Sequence, residues 1–313
     1  MKRLLIYHRR AEELRGLIAE RIDGLQIGAG FDDATLERYL GEAEALIAWK
    51  LPVEALDRAR QLRWIQLTSA GAEQLLPARA RLDHIVVTNT RGIHVDLMAD
   101  YALATMVMLN MHMPRFFADQ QARRWEQRLS VPLAGKTLGV IGAGAIGGEI
   151  ARRGAAFGMH VIAVKRTPGP VDGAAEVVAP EGLHGVLGRS DFVVLVVPVT
   201  AATRGMIGEA ELREMKPTAF LVNIARGSVV DEPALVHALR KQWIAGAALD
   251  VFEEEPLPAD SPLWALPNAL LTPHVAGEPA DYARRVAEVF VDNLTRFRRG
   301  EPFRNVVDFE RGY

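Results

Sequence analysis

Between Leu138 and Thr167 the chain enters a turn as Leu-Gly-Val-Ile, makes it as Gly-Ala-Gly-Ala-Ile-Gly, and continues into an apolar-faced helical stretch. A second apolar run, Met159 to Val164, follows and ends at Lys165-Arg166-Thr167. An apolar run, a glycine turn, a helix and a second apolar run predict a strand–turn–helix–strand unit. Gly142, Gly144 and Gly147 stand at the dinucleotide-binding spacing. Each glycine has a separate reason. Gly142 permits the tight turn, Gly144 lets the backbone approach a pyrophosphate, and Gly147 lets helix and strand pack closely. The first helical residues, Ala145 and Ile146, would offer N–H groups and a partial positive charge to phosphates.

The end of the second strand bears on which dinucleotide binds. A carboxylate about 20 residues beyond the glycines would accept from an NAD ribose and repel a 2′-phosphate. Lys165, Arg166 and Thr167 stand there instead, and Lys and Arg attract a phosphate, Arg through a planar fork. The expected cofactor is NADP(H), with NAD(H) as the alternative if the basic loop only faces solvent.

The 313 residues suffice for two domains with separate cores. A net charge of −2 without long runs of one sign points to neither nucleic acid nor an anionic membrane as partner. The absence of cysteine excludes disulfides, thiolate catalysis and cysteine-ligated metals, and no metal site is expected. No apolar run reaches the length of a membrane span and no signal peptide is evident, so the expected location is the cytoplasm.

Strands alternate with helices along the chain, which predicts parallel sheets with crossover helices. In the first part, strands are expected over 4–7, 45–49, 62–67 and 84–88. Helical stretches are expected over 11–22, 35–40, 53–58 and 72–76. Two strand ends stand out as ligand positions: Trp49-Lys50, and Ser69-Ala70-Gly71, whose free N–H groups could hold a carboxylate. Residues 95–113 form an apolar stretch that predicts one long helix, buried between domains or against a second subunit. Later strands over 192–197, 219–224, 245–249 and 269–271 end near Val197-Pro198, Ile224-Ala225-Arg226, Asp250 and His274. Polar groups thus recur along one sheet edge, where the cofactor would also sit.

These residue types suit a nicotinamide. Reducing a 2-oxo acid requires its carboxylate to be held, its carbonyl polarised and its oxygen protonated. The Arg226 fork can bind carboxylate and carbonyl together. His274 can give or take the proton, because histidine changes charge near neutral pH. Glu255 can pair with the imidazole, and Asp250 can accept from the nicotinamide amide.

The glycine turn, Asn223-Ile224-Ala225-Arg226-Gly227, the run Ala247 to Pro256 and Thr272-Pro273-His274 together resemble the D-isomer-specific 2-hydroxyacid dehydrogenases. Ser69-Ala70-Gly71 and Asn89-Thr90-Arg91-Gly92 extend the resemblance over nearly the whole chain. It implies an α/β protein of two doubly wound parallel sheets. A Rossmann dinucleotide domain, 99–280, would be inserted into a flavodoxin-like substrate domain, 1–98 plus 281–313. It further implies a catalytic set of Arg226, Glu255 and His274 in an interdomain cleft, substrate carboxylate on Ala70 and Gly71, and Pro198 and Thr203 lining the cofactor. Trp49 and Lys50 would shape the substrate pocket, and a homodimer would form around the helix at 95–113. Lys165 and Arg166, where many members carry Asp, bring the chain closer to the NADPH-preferring glyoxylate/hydroxypyruvate reductases. The rival expectations are a corepressor-like or nucleotide-sensing protein on the same scaffold, or oxidation of phosphoglycerate, formate or phosphonate.

Overall fold

The structure is a computed structural model and describes residues 1–309. Two compact units divide it: Met1–Ile93 with Pro279–Tyr313, and His94–Glu278. The boundary falls before the helix that starts at Val95 and not inside it, because that helix packs in the core of the second unit.

The first unit begins with β1 (Arg3–Tyr7), α1 (Ala11–Ala19), β2 (Gln26–Gly30) and α2 (Asp33–Tyr39). It continues with β3 (Ala45–Ala48), β4 (Trp64–Leu67) and β5 (Val86–Thr88). All pairings are parallel, in the order β2-β1-β3-β4-β5, so chain direction across the sheet reverses between β1 and β3. The expected helices over 53–58 and 72–76 are 3-10 turns, Val53–Arg58 and Glu73–Arg81, the second containing Pro77. Proline removes an amide donor and disfavours a longer α-helix there.

The second unit contains α3 (Val95–Asn110), α4 (Met113–Gln121), β6 (Thr137–Ile141), α5 (Ala145–Ala156), β7 (His160–Val164) and β8 (Glu176–Val178). Then come α6 (Leu183–Arg189), β9 (Phe192–Leu195), α7 (Glu209–Glu214) and β10 (Phe220–Asn223). Last are α8 (Glu232–Arg240), β11 (Gly246–Leu249) and β12 (Ala269–Leu271). The seven strands are parallel in the order β12-β11-β10-β9-β6-β7-β8, a doubly wound sheet that reverses between β6 and β9. The strands β9, β10 and β11 lie in register, so their carboxyl ends form one edge.

The chain returns to the first unit through α9 (Tyr282–Arg298). Phe290 on α9 stacks on Trp64 with ring centroids 4.7 Å apart. The Trp64 indole donates to Thr88 Oγ1 at 2.8 Å, and Thr88 in turn donates to Gln66 Oε1, which also accepts from Asn293 on α9. A buried polar network that ties α9 to β4 and β5 explains why the last segment belongs with the first.

The stretch expected as one helix over 95–113 is not one. The α3 helix ends at Asn110, His112 takes a left-handed conformation with φ 57°, and Pro114 restarts the chain in α4. Ala99, Ala102, Leu103, Met106 and Leu109 are buried against Leu138, Val140, Ile150 and Ala151 of the same unit. One apolar face of α3 is thus packed in the core of its own unit, while Leu97 and Met108 keep part of their surface exposed. Among the described residues, no helix is long and apolar enough to cross a membrane.

Candidate active site

Glycines at the start of α5 set the first part of the site. Gly142 has φ +107°, and a Cβ there would meet the Val196 carbonyl oxygen at 2.8 Å. A Cβ on Gly147 would meet the Gly142 carbonyl oxygen at 2.2 Å, so helix and turn touch backbone to backbone. At Gly144, by contrast, a Cβ would meet nothing within 4 Å. Two glycines serve packing, and the third leaves open space beside the first amides of the 12-residue helix α5. Those amides lack intrahelical partners, and this combination suits a pyrophosphate. Lys165, Arg166 and Thr167 follow the last residue of β7, with Arg166 and Thr167 exposed. After β9, Thr203 Oγ1 donates to the Pro198 carbonyl at 2.7 Å and accepts from the Thr200 amide at 2.8 Å. Thr203 therefore fixes the turn that presents Val197 and Pro198.

Arg226 follows β10 after Ile224 and Ala225. Asn223, almost fully buried, accepts from the Ala225 amide at 3.1 Å and donates to the Arg226 carbonyl at 3.0 Å. One Arg226 guanidinium nitrogen donates to the Ala225 carbonyl at 2.7 Å. Gly227 then lies directly against the backbone of Phe252 and Glu253, which opens the loop carrying Glu255. Arginine and glutamate are thus fixed to one another through backbone contact.

His274 sits in the turn after β12 with φ 53°. Its Nδ1 lies 2.7 Å from Glu255 Oε2, while Glu255 Oε1 accepts from the Phe252 amide at 3.0 Å. The carboxylate can only accept when ionised, so Nδ1 carries the proton and Nε2 is left to exchange one. The imidazole is 43% exposed, accessible to a small molecule.

Asp250, 2% exposed, holds the histidine turn. Its Oδ1 accepts from Thr272 Oγ1 at 2.6 Å and the Val275 amide at 2.9 Å, and its Oδ2 accepts from the Ala276 amide at 2.9 Å. A carboxylate offers about four acceptor directions, so one is left for a ligand. Sequence reasoning assigned Asp250 a cofactor contact and missed this positioning role. Thr272 uses its proton on Asp250, so the Tyr101 hydroxyl donates to Thr272 Oγ1 at 2.6 Å. Burial, with the charge of nearby Asp250 adding to it, pushes the Tyr101 hydroxyl up to about 12. The signal for this chain was visible in Thr272, a polar residue beside His274 at a strand end.

The other positions named from sequence belong to the first unit. Trp49 and Lys50 follow β3, and Ser69, Ala70 and Gly71 follow β4. Ser69 Oγ donates to the Gly71 carbonyl at 2.8 Å, closing that turn. The Asn89 amide donates to the Ala70 carbonyl at 2.7 Å, which leaves the turn's N–H side available to a ligand.

The profile of the D-isomer specific 2-hydroxyacid dehydrogenase NAD-binding domain matches residues 103–276. The chain belongs to that family. It is 39% identical to a glyoxylate reductase of Korarchaeum cryptofilum over 85% of this chain and 82% of that protein. The crystal structure of a D-isomer specific 2-hydroxyacid dehydrogenase from Xanthobacter autotrophicus, in complex with NADPH and MES, superposes with TM-score 0.88. It is 32% identical and covers 100% of this chain and 99% of that one. A NADPH-dependent glyoxylate/hydroxypyruvate reductase from Sinorhizobium meliloti, in complex with NADP and sulfate, superposes with TM-score 0.89. It is 26% identical and covers 100% of both chains.

Proposed function

We propose that the protein reduces a small 2-oxo acid, glyoxylate or hydroxypyruvate in the first instance, to the D-2-hydroxy acid at the expense of NADPH. The observation that carries this reading is the 2.7 Å contact between His274 Nδ1 and Glu255, which leaves Nε2 as the proton donor. When bound, the reduced nicotinamide supplies the hydride. The His274 imidazolium gives its Nε2 proton to the substrate oxygen as charge develops there, and Glu255 steadies the charged ring beforehand. Arg226 orients the carbonyl and carboxylate through its fork. Ala70 and Gly71 hold the carboxylate through their amides, with Trp49 and Lys50 bordering the substrate. Gly142, Gly144, Ala145, Ile146 and Gly147 receive the pyrophosphate, and Lys165, Arg166 and Thr167 receive the 2′-phosphate. Val197, Pro198, Thr203, Ile224, Ala225 and the remaining acceptor of Asp250 border the rest of the cofactor.

The test is oxidation of NADPH and NADH followed with glyoxylate, hydroxypyruvate and pyruvate. Folded protein that binds NADPH and turns over none of them would remove the reading.

The working state in this reading is a homodimer, formed through the segment after α4. Trp125 is 95% exposed and Leu129 96%, with Val131 also exposed nearby. Such large apolar side chains in water mark an association surface. Trp125→Glu with Leu129→Glu should turn a dimer into a monomer in sedimentation, and a wild-type monomer would contradict this assignment.

A further inference from the structure

The sheet of the first unit reverses direction between β1 and β3, and open α/β sheets bind ligands beyond strand ends at such a point. The ends are level there: Tyr7 pairs with Ala48, and Ala48 with Leu67. Beyond Leu67 lies the Ser69–Gly71 turn. Beyond Ala48 come Trp49 and Lys50, and beyond Tyr7 come His8 and Arg9.

Two cations converge on one ring at this edge. The Arg9 guanidinium carbon lies 5.6 Å from the Trp49 ring centroid, and Lys50 Nζ lies 4.7 Å from it. The Trp49 backbone is tied to the carboxylate turn by Gln74, whose amide nitrogen donates to the Trp49 carbonyl at 3.1 Å and to Ser69 Oγ at 3.2 Å. Arg10 is not part of this pair. It turns toward the Tyr282 ring, 6.0 Å away, and toward Glu13 at 3.8 Å. Positive charge on Lys50 and Arg9 therefore stands one and two strands away, respectively, from the turn that takes the first carboxylate. Neighbouring parallel strands lie about 4.8 Å apart, so a group held there belongs to the far end of a short molecule.

Resting on the reading above, we propose that the 2-oxo acids reduced extend beyond the smallest to those of four or five carbons with a second carboxylate, which Arg9 and Lys50 receive beside the Trp49 ring. A carboxylate suits the edge better than a phosphate. The start of α1, next to Arg9, carries Glu12 and Glu13, which repel a doubly charged group more strongly than a singly charged one. The Arg9 fork matches the two oxygens of a carboxylate, and the flat ring covers the methylene groups between the two ends.

The experiment compares substrates of equal length with and without the second charge: oxaloacetate with 2-oxobutyrate, and 2-oxoglutarate with 2-oxopentanoate, using NADPH. The expected result is at least a tenfold higher kcat/KM for one diacid over its neutral counterpart, shrinking as salt is raised. Arg9→Gln and Lys50→Gln should each lower that ratio, and the pair should bring it near one. Equal kcat/KM for charged and neutral tails, with glyoxylate still reduced, would overturn the inference and leave the reductase reading intact. A diacid preference that persists in the double variant would overturn the assignment to Arg9 and Lys50. Failure to reduce any 2-oxo acid would remove both readings.

Discussion

Gly227 faces Phe252 so closely that a Cβ there would lie 1.8 Å from the Phe252 carbonyl carbon and 2.0 Å from its oxygen. Both neighbours are backbone atoms, which cannot swing aside as a side chain can. The contact sets the Arg226 turn against the loop of Glu255. Gly227→Ala is therefore expected to cost stability, about 1–3 kcal/mol by analogy with overpacked cores. It should also lower kcat/KM for the 2-oxo acid more than it weakens NADPH binding. Thermal unfolding and steady-state kinetics check both, and an alanine variant of unchanged activity would mean that the two loops are positioned independently.

Tyr101 gives a pH prediction. An unfolded tyrosine loses its proton near pH 10, whereas the folded hydroxyl, buried beside Thr272 and Asp250, holds it to about 12. The folded state binds the extra proton across that interval. The tyrosine's contribution is thus fully present below pH 10 and lost as pH rises toward 12. Tyr101→Phe, which deletes the hydroxyl bond, should cost about 1 kcal/mol near pH 8. Denaturant unfolding of both proteins between pH 8 and 12 should show the gap narrowing above pH 10, and a constant gap would contradict this role.

The basic loop after β7 predicts cofactor choice. Arg166→Asp, with or without replacement of Lys165, should raise the kcat/KM ratio of NADH to NADPH by at least tenfold. A carboxylate repels the 2′-phosphate and can accept from the ribose. An unchanged ratio would show that the loop does not discriminate between the cofactors.

Much of this was legible in the chain because the relevant signals are local. The Gly142–Gly147 turn announces itself through glycines between apolar runs. The strand ends at Arg226 and His274 follow from short apolar segments with a polar residue at the end. The strand β2, Gln26–Gly30, was missed because its sequence holds two glycines and little β-branched character. Its glycines answer to tertiary contacts: a Cβ on Gly28 would meet the Tyr39 ring at 2.5 Å, and one on Gly30 would meet Thr35 Oγ1 at 2.1 Å. Close packing of α2 on that strand is invisible to periodicity. The role of Asp250 was hidden for a related reason, since its three partners lie 22 to 26 residues away. The helix over 95–113 failed because hydrophobicity continues through Met111, while the backbone turns left-handed at His112.

The central claim is that His274 moves the proton at the reacting carbonyl. The direct measurement is single-turnover oxidation of enzyme-bound NADPH on mixing with glyoxylate, for the wild type and His274→Ala, alongside NADPH binding by each. Removing a general acid of this kind should slow the reaction by about 10²–10⁴-fold while leaving the NADPH dissociation constant within a few-fold of the wild type. Equal losses in turnover and NADPH binding would contradict the account and reduce His274 to a structural or cofactor contact.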